Sequence, residues 1–308
     1  MPNYQGVWSL STQFQNASGW PSPPVAGRGV IAGGTTTNVI QFVQTSTLGN
    51  ATDFGDLSVA RFGLAGGGSV TRGVFGAGYA SSANSNLIEY VTIASEGNAI
   101  DFGDVTVARR YVGCASSSTR AVFGGGNDGG PDNVLDYITI ATTGNATDFG
   151  DLSVGRIATS GCASTTRGLF FAGEVDLNSI DYITIASAGN ATDFGDMTYQ
   201  TQETGACSNS TTGLVAGGEG ISGSAVDTID KVTIASTGNA SDFGDLTSAS
   251  QRITGFSSAT SGFFAGGTRG NIIDFLSFSS GGSASDFGDL TASLSYCGAT
   301  SNVHGGLS

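Results

Sequence analysis

The sequence predicts an all-β fold: a six-bladed β-propeller with four antiparallel strands per blade and a ring closed by the C-terminal strand. Three observations carry this. The octapeptide GNATDFGD stands at residues 49–56, 144–151 and 189–196, with near copies at 97–104 (GNAIDFGD), 238–245 (GNASDFGD) and 282–289 (GSASDFGD). The motif residues Asp53, Asp101, Asp148, Asp193, Asp242 and Asp286 are separated by 48, 47, 45, 49 and 44 residues, and a period in the forties marks propellers and solenoids. Short apolar runs alternate with clusters of Gly, Ser, Thr, Asn and Asp, the pattern of many strands joined by tight turns.

Residues 1–26 precede the repeats. Val7, Leu10 and Phe14 fall on one face of a short helix, with Trp8 inside it and Trp20 after it. Such a segment either caps one side of the ring or attaches it to a larger assembly. Residues 27–308 make up the propeller, and each unit reads as four strands. The first is short and built of small residues, as in GGGSV (66–70), GCASSS (113–118), GCAST (161–165), GACSNS (205–210) and GFSSA (255–259). Innermost strands converge on the axis, where only small side chains fit. The second is apolar and ends in glycine, from RGVIAGG (28–34) to GFFAGG (262–267). The third runs from NVIQFVQT (38–45) in the first unit to NIIDFLSF (271–278) in the last. The fourth is the octapeptide together with the residues just after it.

The third and fourth strands keep a fixed register. Phe42, Tyr90, Tyr137, Tyr182, Lys231 and Phe275 each precede the motif Phe (Phe54, Phe102, Phe149, Phe194, Phe243, Phe287) by twelve residues. A constant offset means a constant hairpin, with its turn carried by Gly-Asn: Gly tolerates positive φ and Asn can form an Asx-turn. The first unit lacks its small-residue strand, and the C-terminus supplies an orphan one, SYCGATSN (295–302). Docked beside RGVIAGG it closes the ring and removes exposed sheet edges. Cys114, Cys162 and Cys207 are expected at matching inner-strand positions. Together with Cys297 they lie in separate units, which fits neither a disulfide framework nor a zinc site.

Composition narrows the function. Of 308 residues, 50 are Gly and 12% are charged, but V, I, L and F recur throughout, so the chain is neither disordered nor, lacking a three-residue period, collagenous. The net charge is −14, and twelve of the 25 acidic residues lie inside the six octapeptides. The acidity belongs to the repeat, and such a surface repels phosphate backbones, so nucleic acid is not an expected partner. MPNYQGVWSL has no basic and apolar secretory regions, and no apolar run approaches transmembrane length, so membrane insertion is not expected either.

The double glycine, the aromatic on the next strand and the second aromatic twelve residues on resemble the kelch repeat, in which GG is followed by Tyr, Trp and an Arg. Phe stands for Trp in every unit here; Arg61, Arg109 and Arg156 match the later Arg, while Thr201, Ser250 and Leu294 take its place elsewhere. Gly-Gly is intact at 33–34, 125–126, 217–218 and 266–267 and becomes Ala-Gly at 77–78 and 172–173. The resemblance covers about 27–302 and implies a kelch-type propeller, a fold that hosts many unrelated activities. DFGDLSVAR (53–61), TRGVFGAG (71–78) and the leader GVWSLSTQFQNASGWP (6–21) are similar to kelch-like proteins of tailed bacteriophages. That resemblance implies a virion protein of a tail fibre, neck or other appendage, contacting other virion proteins and a host-surface glycan or receptor. The alternative is a soluble kelch-type adaptor or lectin-like module.

Chemistry is not expected at the octapeptide. D-x-x-D lacks the ligand count of a calcium loop, so no metal or cofactor is expected; the Asp side chains should cap turn amides and the Phe should fill the space between blades. Sequons at Asn50, Asn145, Asn190 and Asn239 read as turn chemistry. His304 is the sole histidine, with no second one for a copper site and no sequence-local triad, so no catalytic residue is assigned and the protein is expected not to be an enzyme. Length variation concentrates between the second and third strands, in loops that share one ring face with those between the fourth and first. Variable insertions on one face mark a binding face. The candidates are Tyr79, Asn84, Asp128, Asp132, Glu174, Asp176, Glu219 and Arg269.

Overall fold

The computed structural model describes residues 27–174 and 178–307. The N-terminal helix expected over Val7–Phe14 therefore lies outside the described residues, as does Asp176. Six four-stranded antiparallel sheets form the ring. Blade one joins Arg28–Ala32, Val39–Gln44 and Thr52–Asp56 to the C-terminal strand Gly298–Ser301, which pairs antiparallel with Arg28–Ala32 through Ile31 opposite Ala299. Blades two to six run in chain order from the inner strands Ala65–Gly68, Gly113–Ser116, Ser160–Ala163, Gly205–Ser208 and Thr254–Ser257. Each inner strand approaches the next around the circle, and Gly298–Ser301 closes it between blades six and two.

The fourth strand is shorter than the sequence suggests. In blade two it spans Ile100–Asp104, so the Gly-Asn of the octapeptide lies in the turn and only its DFGD end is paired. In every blade the third–fourth pairing carries a β-bulge at the motif Phe: Ile88 faces Gly103 while Glu89 faces Asp101, leaving Phe102 as the extra residue. A bulge re-aims a side chain. Here it turns the Phe sideways, into the space before the next blade. Phe54 shares one buried cluster with Leu64, Phe75 and Val91 of blade two and meets Phe42 edge-on at 5.8 Å. Burial of such a ring stabilises by roughly 1.5–3 kcal/mol.

The octapeptide has a second function at the same seam. The Gly97 N–H of blade two donates to the Phe54 carbonyl of blade one (2.8 Å), and Ala99 donates to the Asp56 carbonyl (2.8 Å). Asn98 Oδ1 accepts the Asp56 N–H (3.1 Å). The GNA end of each copy thus grips the DFGD end of the copy before it. The contact recurs at all six seams, including Gly49 on Phe287 across the closure (3.0 Å). The side-chain clasp recurs at five seams; between blades five and six Ser283 replaces the Asn, and Phe243 is only half-buried. A Cβ on Gly103 would strike the Gly144 carbonyl, so this glycine is set by the close approach of the next blade. The expectation that the motif Asp cap turn amides needs correcting. Asp53 and its equivalents are exposed, and among the described residues only Asp242 makes such a bond, to the Gly244 N–H (3.3 Å). Asn does the capping, across the seam.

The cysteines are buried and unpaired, but not at one matching position. Cys162 and Cys207 face Leu169 and Leu214 on the second strands, whereas Cys114 faces Phe123. The place of Cys162 is taken in blade three by Ala115. One residue of offset reverses the direction of a strand side chain. Cys162 and Cys207 therefore point to the following blades, at Gly213 and Gly262, and Cys114 points back at Gly67. Burial pushes the Cys162 and Cys297 thiols up to about 12, and all four sulfurs act as packing atoms.

Candidate functional site

The third residue of every third strand is polar and fully buried: Gln41, Glu89, Asp136, Asp181, Asp230 and Asp274. Each accepts from the Ser or Thr just after the octapeptide of the preceding blade. Ser153 gives Asp181 its N–H (2.8 Å) and its hydroxyl (2.7 Å); Thr198 does the same for Asp230, and Thr247 for Asp274. Three arginines meet these acids inside the seams: Arg61 with Glu89 (2.9 Å), Arg109 with Asp136 (2.7 Å) and Arg156 with Asp181 (3.0 Å). Burial pulls the Arg61 guanidinium down to about 10 against the opposing pull of Glu89. These polar groups belong to the architecture of the seams.

Where each fourth strand crosses to the next inner strand, one residue adopts a left-handed backbone. These are Gly63, Tyr111, Ala158, Glu203, Arg252 and Tyr296, with φ between 58° and 67°. They join in a closed circle of hydrogen bonds around the axis. Gly63 N–H donates to Tyr296 (2.8 Å), Tyr111 to Gly63 (2.7 Å), Ala158 to Tyr111 (3.0 Å), Glu203 to Ala158 (3.2 Å), Arg252 to Glu203 (2.8 Å) and Tyr296 to Arg252 (3.0 Å). This circle frames the mouth of an axial cavity of about 90 Å³, lined below by Cys114, Gly161, Ala206 and Ala299. A left-handed φ is costly for tyrosine or arginine, and such strain clusters at functional sites.

The side chains on this frame range from none at Gly63 and a methyl at Ala158 to two tyrosines, a glutamate and an arginine. Tyr111 and Tyr296 lean together over Gly63, with ring centroids 4.9 Å apart. Phe62 touches both at 6.0 Å and continues to Tyr79 at 5.3 Å. Arg110 lies over Tyr79 (4.7 Å) and Tyr111 (5.4 Å), held by Asn84 Oδ1 (3.1 Å). Across the mouth, Arg252 Nε meets Glu203 Oε2 (3.0 Å), and the Tyr296 hydroxyl donates to Glu203 Oε1. Burial and this bond raise the Tyr296 pKa. Burial works against the charge on Arg252, but Glu203 and Tyr296 together outweigh it and the guanidinium pKa is raised.

The opposite mouth is covered. The C-terminal turn Gly305–Leu307 lies across it, with Gly305 against Asn209 and Gly306 against Ser116. His304 is bonded there to the Gly68 carbonyl (2.9 Å), and burial pulls it down to about 4.

The residues expected from loop variation divide. Tyr79 and Asn84 join the aromatic cluster through Phe62 and Arg110. Glu174 and Glu219 line a separate polar depression of about 130 Å³ between the loops of blades four and five. Asp128 is exposed and apart. Asp132 is buried and caps Val134 N–H (3.1 Å) near Arg109. Arg269 turns inward, pairs with Asp274 and bonds the Phe264 carbonyl (2.8 Å), so its charge is spent within the seam. The mouth residues Phe62, Arg110, Tyr111, Glu203, Arg252 and Tyr296 escaped the reading of loop lengths because their loop does not vary in length. A signal existed. The six mouth positions each come nine residues after a motif Phe and read Gly, Tyr, Ala, Glu, Arg, Tyr, so spacing is fixed while chemistry changes. No family model and no curated protein matches the chain.

Proposed function

We propose that the chain is a non-enzymatic binding component of a phage virion appendage, a tail fibre or neck, and that it engages its ligand at the open mouth of the axial cavity. The observation that supports this reading is the contrast between frame and side chains at six equivalent positions. The backbone is held in one strained conformation by a closed circle of hydrogen bonds, while the side chains run from none to tyrosine, glutamate and arginine. Packing demands similar residues at equivalent positions, as the seams show; recognition demands different ones. Aromatic and arginine side chains on a concave, preorganised surface are the usual carriers of binding energy. The virion placement is supported by the sequence resemblance in DFGDLSVAR, TRGVFGAG and the leader. A soluble adaptor or lectin-like module would use the same mouth.

Two measurements test this. Mass spectrometry of purified particles should find the chain, and its absence there would remove the virion placement. Labelled protein should bind host cells, and Tyr111→Ala with Tyr79→Ala should abolish binding while the far-UV spectrum and melting curve remain those of a propeller. Cell binding unchanged in that variant would remove the mouth as the contact site.

A further inference from the structure

The mouth carries a more specific message than binding alone. From the axis outward, Tyr296, Tyr111, Phe62 and Tyr79 form a continuous aromatic trough, each ring within 6.0 Å of the next. The two arginines along it differ. Arg252 is neutralised by Glu203. Arg110 stacks on two tyrosines and bonds only to the neutral Asn84 side chain, and it has no carboxylate partner among the described residues. Arg72, Arg120 and Arg167 also lack an acid among the described residues, but each spends Nη1 on carbonyl oxygens of a neighbouring blade, whereas Arg110 keeps its guanidinium at the rim of a concave site. Arginine seeks planar anionic oxygens, and a carboxylate matches its fork.

The backbone decides between ligand classes. The N–H groups of the six mouth residues are all spent inside the circle. A peptide laid on the mouth would find none of them for main-chain pairing, the source of affinity in strand-addition recognition. A ligand recognised by side chains alone suits the site better. Tyrosine faces offer apolar area, and the Tyr hydroxyls, Glu203, Asn84 and Arg252 offer donors and acceptors around it. Resting on the binding reading above, we propose that the trough binds a carboxylated saccharide, with sugar rings lying on Tyr111 and Tyr79 and the acid group on Arg110.

The probes are a panel of uronate and sialate oligosaccharides with neutral counterparts of the same linkage, titrated calorimetrically against the full chain. At least one acidic oligosaccharide should bind in preference to its neutral counterpart. Arg110→Gln should weaken it roughly ten- to hundredfold, the loss of a charged hydrogen-bonded pair, and erase the preference. Tyr79→Phe, which keeps the stacking face, should bind nearly as wild type, whereas Tyr79→Ala should not bind. Three outcomes overturn the proposal: no binding across the panel, equal binding of acidic and neutral members, or an affinity indifferent to Arg110→Gln. A tri-glutamate peptide is included, and binding of that peptide alone would assign the site to protein. Cell binding distinguishes the two levels of inference. If cells are bound through the mouth but uronate does not compete and protease treatment removes the sites, the ligand class fails and the binding function stands. If no cell binding occurs, the function itself fails.

Discussion

The seam between blades three and four and the seam between blades four and five share one backbone and differ in one charge. In the first, Asp181 is capped by Ser153 and paired with Arg156, whose Nη1 also donates to the Ser179 carbonyl (3.1 Å). In the second, Asp230 is capped by Thr198, but Thr201 stands where the arginine would. Tyr199 fills the space instead, and its hydroxyl donates to the equivalent Thr228 carbonyl (3.1 Å) and to Gly217 (3.2 Å). A neutral hydroxyl reproduces the carbonyl bonding of the guanidinium but not its charge. Burial accordingly raises the Asp230 pKa, with the Thr198 bonds opposing. The other two arginine-free seams remove the conflict by other means. Arg269 reaches Asp274 from a loop, and Gln41 is neutral from the start. The seam therefore requires a hydrogen-bond acceptor and tolerates several answers to its charge.

The largest expected effect comes from removing the acid. Asp181→Ala strands a fully buried guanidinium and should cost about 3–5 kcal/mol in chemical denaturation, whereas Asp230→Ala strands only neutral donors and should cost less. Equal losses would break the comparison. Next come the interblade rings. Phe149, 2% exposed, should cost about 3–5 kcal/mol when replaced by Ala. Half-buried Phe243, with Lys231 over its ring at 4.8 Å, should cost clearly less, and the reverse order would show that the seam between blades five and six is not the looser one.

Titration sharpens the contrast further. The folded pKa of Asp230 is raised above its ordinary 3.8, so the folded protein holds this proton more tightly than the unfolded chain. Stability from this group is greatest below 3.8 and falls as pH rises from there through the folded pKa. Asp230→Asn removes that loss. Its Tm relative to wild type should therefore be most favourable at neutral pH and decline on acidification through this window, while Asp181→Asn, which leaves Arg156 uncompensated, should be destabilising at neutral pH. A pH-independent Tm difference for Asp230→Asn would refute the assignment. The smallest effect is a gain. Ser283→Asn restores the clasp missing between blades five and six and should add about 0.5–1.5 kcal/mol, measured by denaturant midpoint.

Residue by residue, the sequence shows where local information ends. GNATDFGD announced the blade count, the twelve-residue offset announced the hairpin, and the orphan SYCGATSN announced the closing strand. Each of these is a pattern within one repeat or between adjacent strands, where backbone geometry and the two-residue alternation act over short distances. The bulge at the motif Phe was not legible, because a bulge is a property of two strands in register. The matching of Arg269 to Asp274 was not legible either, since it brings a cation from the loop between the second and third strands where three other seams use an arginine from the loop after the fourth strand.

The sequence by itself determined a ring of six near-equal units and the two aromatic positions that knit them, because a repeated local pattern can be satisfied only by stacking copies of one structure. Only the tertiary structure decided what the octapeptide does, since its GNA half acts on the copy one repeat earlier in the chain. Only closure of the ring brought Tyr296 beside Tyr111 and Glu203, residues separated by up to 185 positions in the chain. The axis is the one place where six blades converge. Side chains that are unremarkable one repeat at a time become neighbours there, and the backbone circle fixes them before any ligand arrives.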